Sequence, residues 1–135
     1  MEFEVAKEKA VRFIGISKKT ANEVETKLKK LNISNDTINE VVEYLKGLGY
    51  IDDVDYVKAY IRQCIKMQKY SIYEIKQKLL IKGISRELIL EFVDELYSTD
   101  YESKVIQKLL SGKLSSMEQE KQKNYIYRRG FKINE

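Results

Sequence analysis

A chain of 135 residues with 43% hydrophobic and 34% charged side chains is too apolar to stay disordered in water and too charged to belong in a bilayer. Its one cysteine, Cys64, excludes an internal disulfide, and the absence of histidine removes the commonest metal ligand and the commonest base near neutral pH. The net charge of +4 is uneven: residues 1–51 carry nine basic and eight acidic groups, residues 52–100 eight and nine, and residues 101–135 eight and four. Charges interrupt every apolar stretch before it reaches about 18 residues, and the first eight residues are acidic, so neither a membrane span nor a signal peptide is expected. The expected compartment is the cytoplasm.

With no proline, six glycines and apolar residues returning at helical spacing throughout, the chain reads as wholly helical. Helices are predicted near 2–14, 18–31 and 35–47, the second opened by Ser17 or Thr20 and the third by Ser34, with Gly47 and Gly49 as stops. The next three run near 53–68, 72–82 and 86–98, with Ser71 and Ser85 as N-caps and Gly83 as a positive-φ stop. A further helix begins at Tyr101, the chain crosses Ser111–Ser116, and a last helix spans about Met117 to Arg129 before Gly130 and Phe131.

Shifting the sequence by 51 positions brings its apolar skeleton into register: Ala6 meets Val57, Val24 meets Ile75, Leu28 meets Leu79, Ile38 meets Ile89, Val42 meets Val93 and Leu45 meets Leu96. The caps recur as well, Thr20 with Ser71 and Ser34 with Ser85, and Gly83-Ile84 returns as Gly130-Phe131 after 47 positions. The expected architecture is all-α, with tandem three-helix, helix-turn-helix-like repeats in an elongated, curved arrangement: repeat 1 over 1–51, repeat 2 over 52–100 and an incomplete repeat 3 over 101–135. Too few residues follow Phe131 for a third helix, so a frayed or partner-covered C-terminus is expected there. Such architectures present surfaces to partners, whereas catalysis usually needs a pocket.

No nucleophile and base pair, phosphate loop or metal cluster stands out, so no catalytic residue, metal or cofactor is expected. Cys64 falls on a core position opposite Phe13 and reads as a small buried hydrophobe. Asp52, Asp53 and Asp55 lie where a helix begins and read as dipole-compensating caps, not as a metal site. Two groups remain. Arg62, Lys66 and Lys69 share a helical face close to Tyr70, Tyr73 and Lys76, while Tyr125, Tyr127, Arg128, Arg129 and Lys132 form a second group. Basic side chains interleaved with tyrosines suit phosphate or an acidic protein groove. The competing reading of the second group has Tyr127 packed and the arginines on helix-terminal carbonyls.

Three blocks carry a resemblance to a known family. Leu48-Gly49-Tyr50-Ile51-Asp52-Asp53 with Tyr56-Val57-Lys58-Ala59-Tyr60-Ile61-Arg62, then the run from Tyr70 to Ser85, then Asn124-Tyr125-Ile126-Tyr127-Arg128-Arg129-Gly130-Phe131 together resemble the RecX family, regulators of the RecA recombinase. Ser71 stands where that family commonly has glycine. The resemblance implies a non-enzymatic modulator lying in the groove of a RecA filament on DNA, restraining recombination, ATP turnover and coprotease action. Partner contacts are expected at Arg62, Lys66, Lys69, Tyr73, Lys76, Arg128, Arg129 and Lys132. Weak contact with single- or double-stranded DNA is a further expectation, but no membrane or small-molecule substrate is. The rival reading is a helix-turn-helix-like DNA-binding module.

Overall fold

The computed structural model describes residues 2–132, and every regular element among them is helical. In chain order these are α1 (Glu2–Ile16), α2 (Ala21–Lys30), α3 (Asn35–Gly47), α4 (Asp53–Met67), α5 (Ile72–Ile81), α6 (Arg86–Phe92), a 3-10 turn (Asp94–Ser98), α7 (Tyr101–Ser111) and α8 (Gln119–Arg128). Among the described residues the backbone forms two compact units, one of residues 2–56 with 82–84 and one of 57–81 with 85–132.

In the first unit α1, α2 and α3 pack against one another around Ala6, Ala10, Val24, Leu28, Ile38, Val41, Val42 and Leu45. The 3.6-residue period places these side chains on the facing stripes of three amphipathic helices, and each buried aliphatic larger than alanine contributes roughly 1.5–3 kcal/mol. Phe3, Phe13, Ile14 and Ile33 close the margins of this core. α3 begins at Ser34, whose hydroxyl accepts the Thr37 amide, and ends where Gly49 takes φ +82°. The stop after α2 is Asn32, in the left-handed region at φ +62°.

The second unit buries Val57 and Cys64 of α4, Ile72, Ile75 and Leu79 of α5, Ile89 of α6, and Val105 of α7. Cys64 is 2% exposed, as its repeat position predicts, and burial raises its thiol pKa from the ordinary 9.0 to about 11 despite the opposing influence of Lys78. Two details depart from the periodicity. The helix predicted over 86–98 breaks after Phe92 and tightens into the 3-10 turn, which buries Leu96. The crossing at Ser111–Ser116 hides Leu114, 1% exposed, and α8 starts at Gln119 instead of Met117. The predicted fraying beyond Lys132 lies outside the described residues.

Candidate partner-binding surface

The geometry of the basic residues follows from how successive repeats are joined. Thr20 and Glu23 form a capping box at α2: the Glu23 amide donates to Thr20 Oγ1 at 3.1 Å and the Thr20 amide to Glu23 Oε1 at 2.9 Å. The Thr20 hydroxyl then donates to the Lys82 carbonyl at 2.6 Å, while the Ala21 amide donates to Asp53 Oδ1 at 2.9 Å. The open end of α2 is thus completed by atoms from the following repeat.

The same joint recurs 51 positions later. Ser71 and Glu74 exchange the two capping-box bonds at 3.0 and 2.9 Å, and the Ser71 hydroxyl donates to the Arg129 carbonyl at 2.7 Å. The Ile72 amide donates to Glu102 Oε2 at 2.8 Å, and Glu102 Oε1 accepts the Lys132 amide at 2.9 Å. Thr20 and Ser71 are both fully buried, which a hydroxyl tolerates only when its hydrogen bonds are met. Serine, where the resemblance leads one to expect glycine, supplies the hydroxyl that this joint uses.

Gly83 and Gly130 take φ +84° and +88° where the following repeat presses against its predecessor. A Cβ at Gly83 would lie 2.1 Å from Asn22 Cβ, and one at Gly130 2.9 Å from Tyr73 Cβ. Only glycine satisfies both the left-handed backbone and the close approach.

Asp52, Asp53 and Asp55 divide their tasks. Asp52 Oδ1 accepts the Asp55 amide at 3.0 Å as the cap of α4, Asp53 serves α2, and Asp55 pairs with Lys18. Among the described residues no group of three histidine, cysteine, aspartate or glutamate side chains is placed to hold a metal.

Against this frame the structure brings the two basic groups together within the second unit. Lys76 sits 4.9 Å and Lys132 4.2 Å from the centre of the same Tyr97 ring, so candidates 56 positions apart meet at one aromatic side chain. Lys76 also pairs with Asp94. Burial opposes the Lys76 charge, but Asp94 and Tyr97 more than offset it and hold the ammonium pKa above its ordinary value.

Arg129 turns inward. Its guanidinium grips Glu74 at 2.7 and 3.1 Å and donates to the Lys69 carbonyl at 2.6 Å. Burial pushes the Glu74 carboxyl up, but Arg129 and Ser71 outweigh it and keep the pKa below the usual 4.5. Arg129 is therefore a clamp within the unit. Arg62, Lys66, Lys69, Tyr73, Arg128 and the Lys132 side chain stay exposed. Arg128 Nε donates to the Asn124 carbonyl at 3.3 Å, so both arginines reach carbonyls, but Tyr127 is 73% exposed and does not pack.

Sequence reasoning missed a neighbouring cavity of about 390 Å³ lined by Met67, Gln68, Lys69, Lys108, Leu109, Gly112, Lys113, Tyr125 and Arg129. Lys108 Nζ donates to the Met67 carbonyl at 3.0 Å and Lys113 Nζ to the Tyr125 hydroxyl at 2.9 Å, which lowers the phenol pKa. Four of its lining residues are cations and none is an acid, although the Arg129 charge is already paired with Glu74. The basic surplus of residues 101–135 was the available signal.

Comparison with known proteins places this geometry in context. Residues 6–45 match the family model described as RecX, first three-helix domain, and residues 52–91 match RecX, second three-helix domain. The regulatory protein RecX of Caldanaerobacter subterraneus subsp. tengcongensis is 32% identical over 135 residues, covering 98% of this chain and 68% of its own length. That of Streptococcus agalactiae is 32% identical over 97 residues, 72% of this chain, yet the match spans only 38% of the streptococcal protein. In fold, the chain resembles the crystal structure of RecX from Lactobacillus salivarius, with a TM-score of 0.81 at 24% identity over 98% of this chain and 90% of that one. A second crystal structure of a regulatory protein RecX gives a TM-score of 0.83 at 20% identity, covering 97% of this chain and 69% of that one.

Proposed function

The chain belongs to the RecX family, and from that premise we propose that it is a cytoplasmic regulator that binds RecA–DNA filaments in the filament groove and mainly inhibits them. It would lower recombinase activity, ATP hydrolysis and coprotease function, and so act on homologous recombination, DNA repair and the SOS response. Binding alone carries this mechanism, with no turnover at the chain itself. A ligand that prefers one filament state shifts the filament toward that state in proportion to the difference in affinity.

The observation that supports this reading is the convergence of Lys76 and Lys132 on Tyr97, within the unit that also exposes Arg62, Lys66, Lys69, Tyr73 and Arg128. One lysine from each of two sequence-distant basic groups thereby meets at a tyrosine, a pattern that suits an acidic protein groove. Lys76 and Arg129 also carry internal pairs, so the exposed members are the ones to test. The experiment measures filament ATPase and strand exchange with the wild-type chain and with an Arg62→Ala, Lys66→Ala, Lys69→Ala, Lys132→Ala variant of unchanged helicity. Inhibition weakened about tenfold or more supports the assignment; unaltered inhibition removes it.

The cation-lined cavity beside Tyr125 favours a second reading, direct contact with nucleic acid as a helix-turn-helix-like DNA-binding module. A salt series separates the two. Binding to naked strands tighter than to RecA-coated strands, with a steep salt slope, would favour DNA as the primary partner.

A further inference from the structure

Three ten-residue helices, α2, α5 and α8, hold equivalent places in the successive repeats. Their third residues are Glu23, Glu74 and Lys121. In the first two helices the glutamate receives a cation from the repeat that follows: Lys82 approaches Glu23 at 3.8 Å, and Arg129 approaches Glu74 at 2.7 Å. At α8 the sign is reversed. Its cap is Glu118, which makes no side-chain capping bond, and Lys121 stands exposed where the acid was.

Lys121 belongs to a stripe of α8. With Met117, Asn124, Tyr127 and Arg128 it lines an open cavity of about 450 Å³, and no acid contributes to the lining. Neither Lys121 nor Arg128 has an ion pair among the described residues. Tyr127 adds a large aromatic surface, 73% exposed, of the kind that anchors protein contacts.

We propose that this face of α8 docks an acidic segment of a protein partner. At the equivalent place in both preceding repeats the occupant is protein, a turn that brings a backbone carbonyl and a charged side chain to the helix. Reversing the sign at the third residue reverses the sign of the side chain that the occupant must bring. Two cations beside a tyrosine and a methionine suit one or two carboxylates on a folded or helical segment. A phosphate backbone would find the denser row of cations in the cavity beside Tyr125. This surface shares Arg128 with the contacts proposed above but is centred on Lys121 and Tyr127, and it does not require the partner to be RecA.

The test follows backbone amide shifts of the full chain in NMR titrations with deca-glutamate and, separately, with a ten-nucleotide oligothymidylate. Deca-glutamate is expected to shift amides within residues 117–128 ahead of all others. The Lys121→Glu, Arg128→Glu variant should weaken its binding about tenfold or more, and the gentler Lys121→Gln, Arg128→Gln variant should do so less, with unchanged circular dichroism in both. The proposal fails if deca-glutamate leaves these amides unmoved, if it shifts all lysines equally, or if oligothymidylate binds this face more tightly. It also fails if the wild-type chain self-associates through this face and the charge reversal abolishes that, since a second copy would then be the occupant. Filament binding without peptide binding would overturn this proposal alone; peptide binding without filament binding would overturn the RecA reading alone.

Discussion

Arg129 holds Glu74 across 55 positions of sequence, with one guanidinium gripping both carboxylate oxygens and a third hydrogen bond reaching the Lys69 carbonyl. The side chains are only 20% and 28% exposed, so this pair is far better shielded than an ordinary surface ion pair. Replacing Arg129 with alanine is expected to lower stability by about 1.5–3 kcal/mol, the range for hydrogen bonds to charged groups. Lysine should restore only part of it, since a point charge cannot grip two oxygens in a fixed fork. Urea unfolding monitored by circular dichroism checks both.

The same pair makes stability depend on acid. Glu74 has a folded-state pKa below its ordinary 4.5, so its contribution is fully present above pH 4.5 and is lost as the pH falls through the folded value. Denaturation midpoints measured from pH 7 down to pH 3 should show the wild type losing more stability below pH 4.5 than the Glu74→Gln variant. Parallel curves would contradict the assignment.

Gly83 and Gly130 are expected to resist substitution unequally. Alanine at either site must adopt a left-handed backbone, worth about 1–3 kcal/mol. At Gly83 it also meets Asn22 Cβ at 2.1 Å, a contact that cannot stand, whereas at Gly130 the nearest atoms of Tyr73 lie at 2.9 Å. Gly83→Ala should therefore lower the melting temperature more than Gly130→Ala. Thermal unfolding of the two variants followed by circular dichroism checks the order, and an equal or smaller loss at Gly83 would contradict it.

Cys64 should ignore thiol reagents in the native state at pH 8, because burial holds its pKa near 11 and leaves little thiolate. Since the folded value lies above the ordinary 9.0, the stabilisation from keeping the thiol neutral is complete below pH 9 and declines as the pH rises through 11. Labelling with a maleimide with and without urea measures the first effect. Comparing the alkaline unfolding of Cys64→Ala with wild type measures the second.

What the sequence reveals here divides by range. Thr20, Ser71, Gly83 and Gly130 were legible because caps and stops act within a few residues and repeat at a fixed spacing. Asn32 was not read as a stop although it occupies the place of Gly83 one repeat earlier; a left-handed asparagine is the less common solution. Glu102 escaped altogether. It is 9% exposed and bonds amides 30 residues away on either side, at Ile72 and Lys132, and no local pattern encodes such a bridge. Arg129 shows the limit most plainly: charge and position suggested a surface contact, and only the fold shows that its charge is used on Glu74. The broken helix after Phe92 has the same origin, because tertiary packing of Leu96, not helical period, sets its last turn.

The joint at α2 also sets an order of events during synthesis. A nascent chain that has emerged only as far as residue 70 already contains Asp53 to receive the Ala21 amide, but the Thr20 hydroxyl still lacks the Lys82 carbonyl that it meets in the finished protein. The bond that fixes the Thr20 hydroxyl can therefore form only after residue 82 has been made, so the first bundle alone does not complete its own joint.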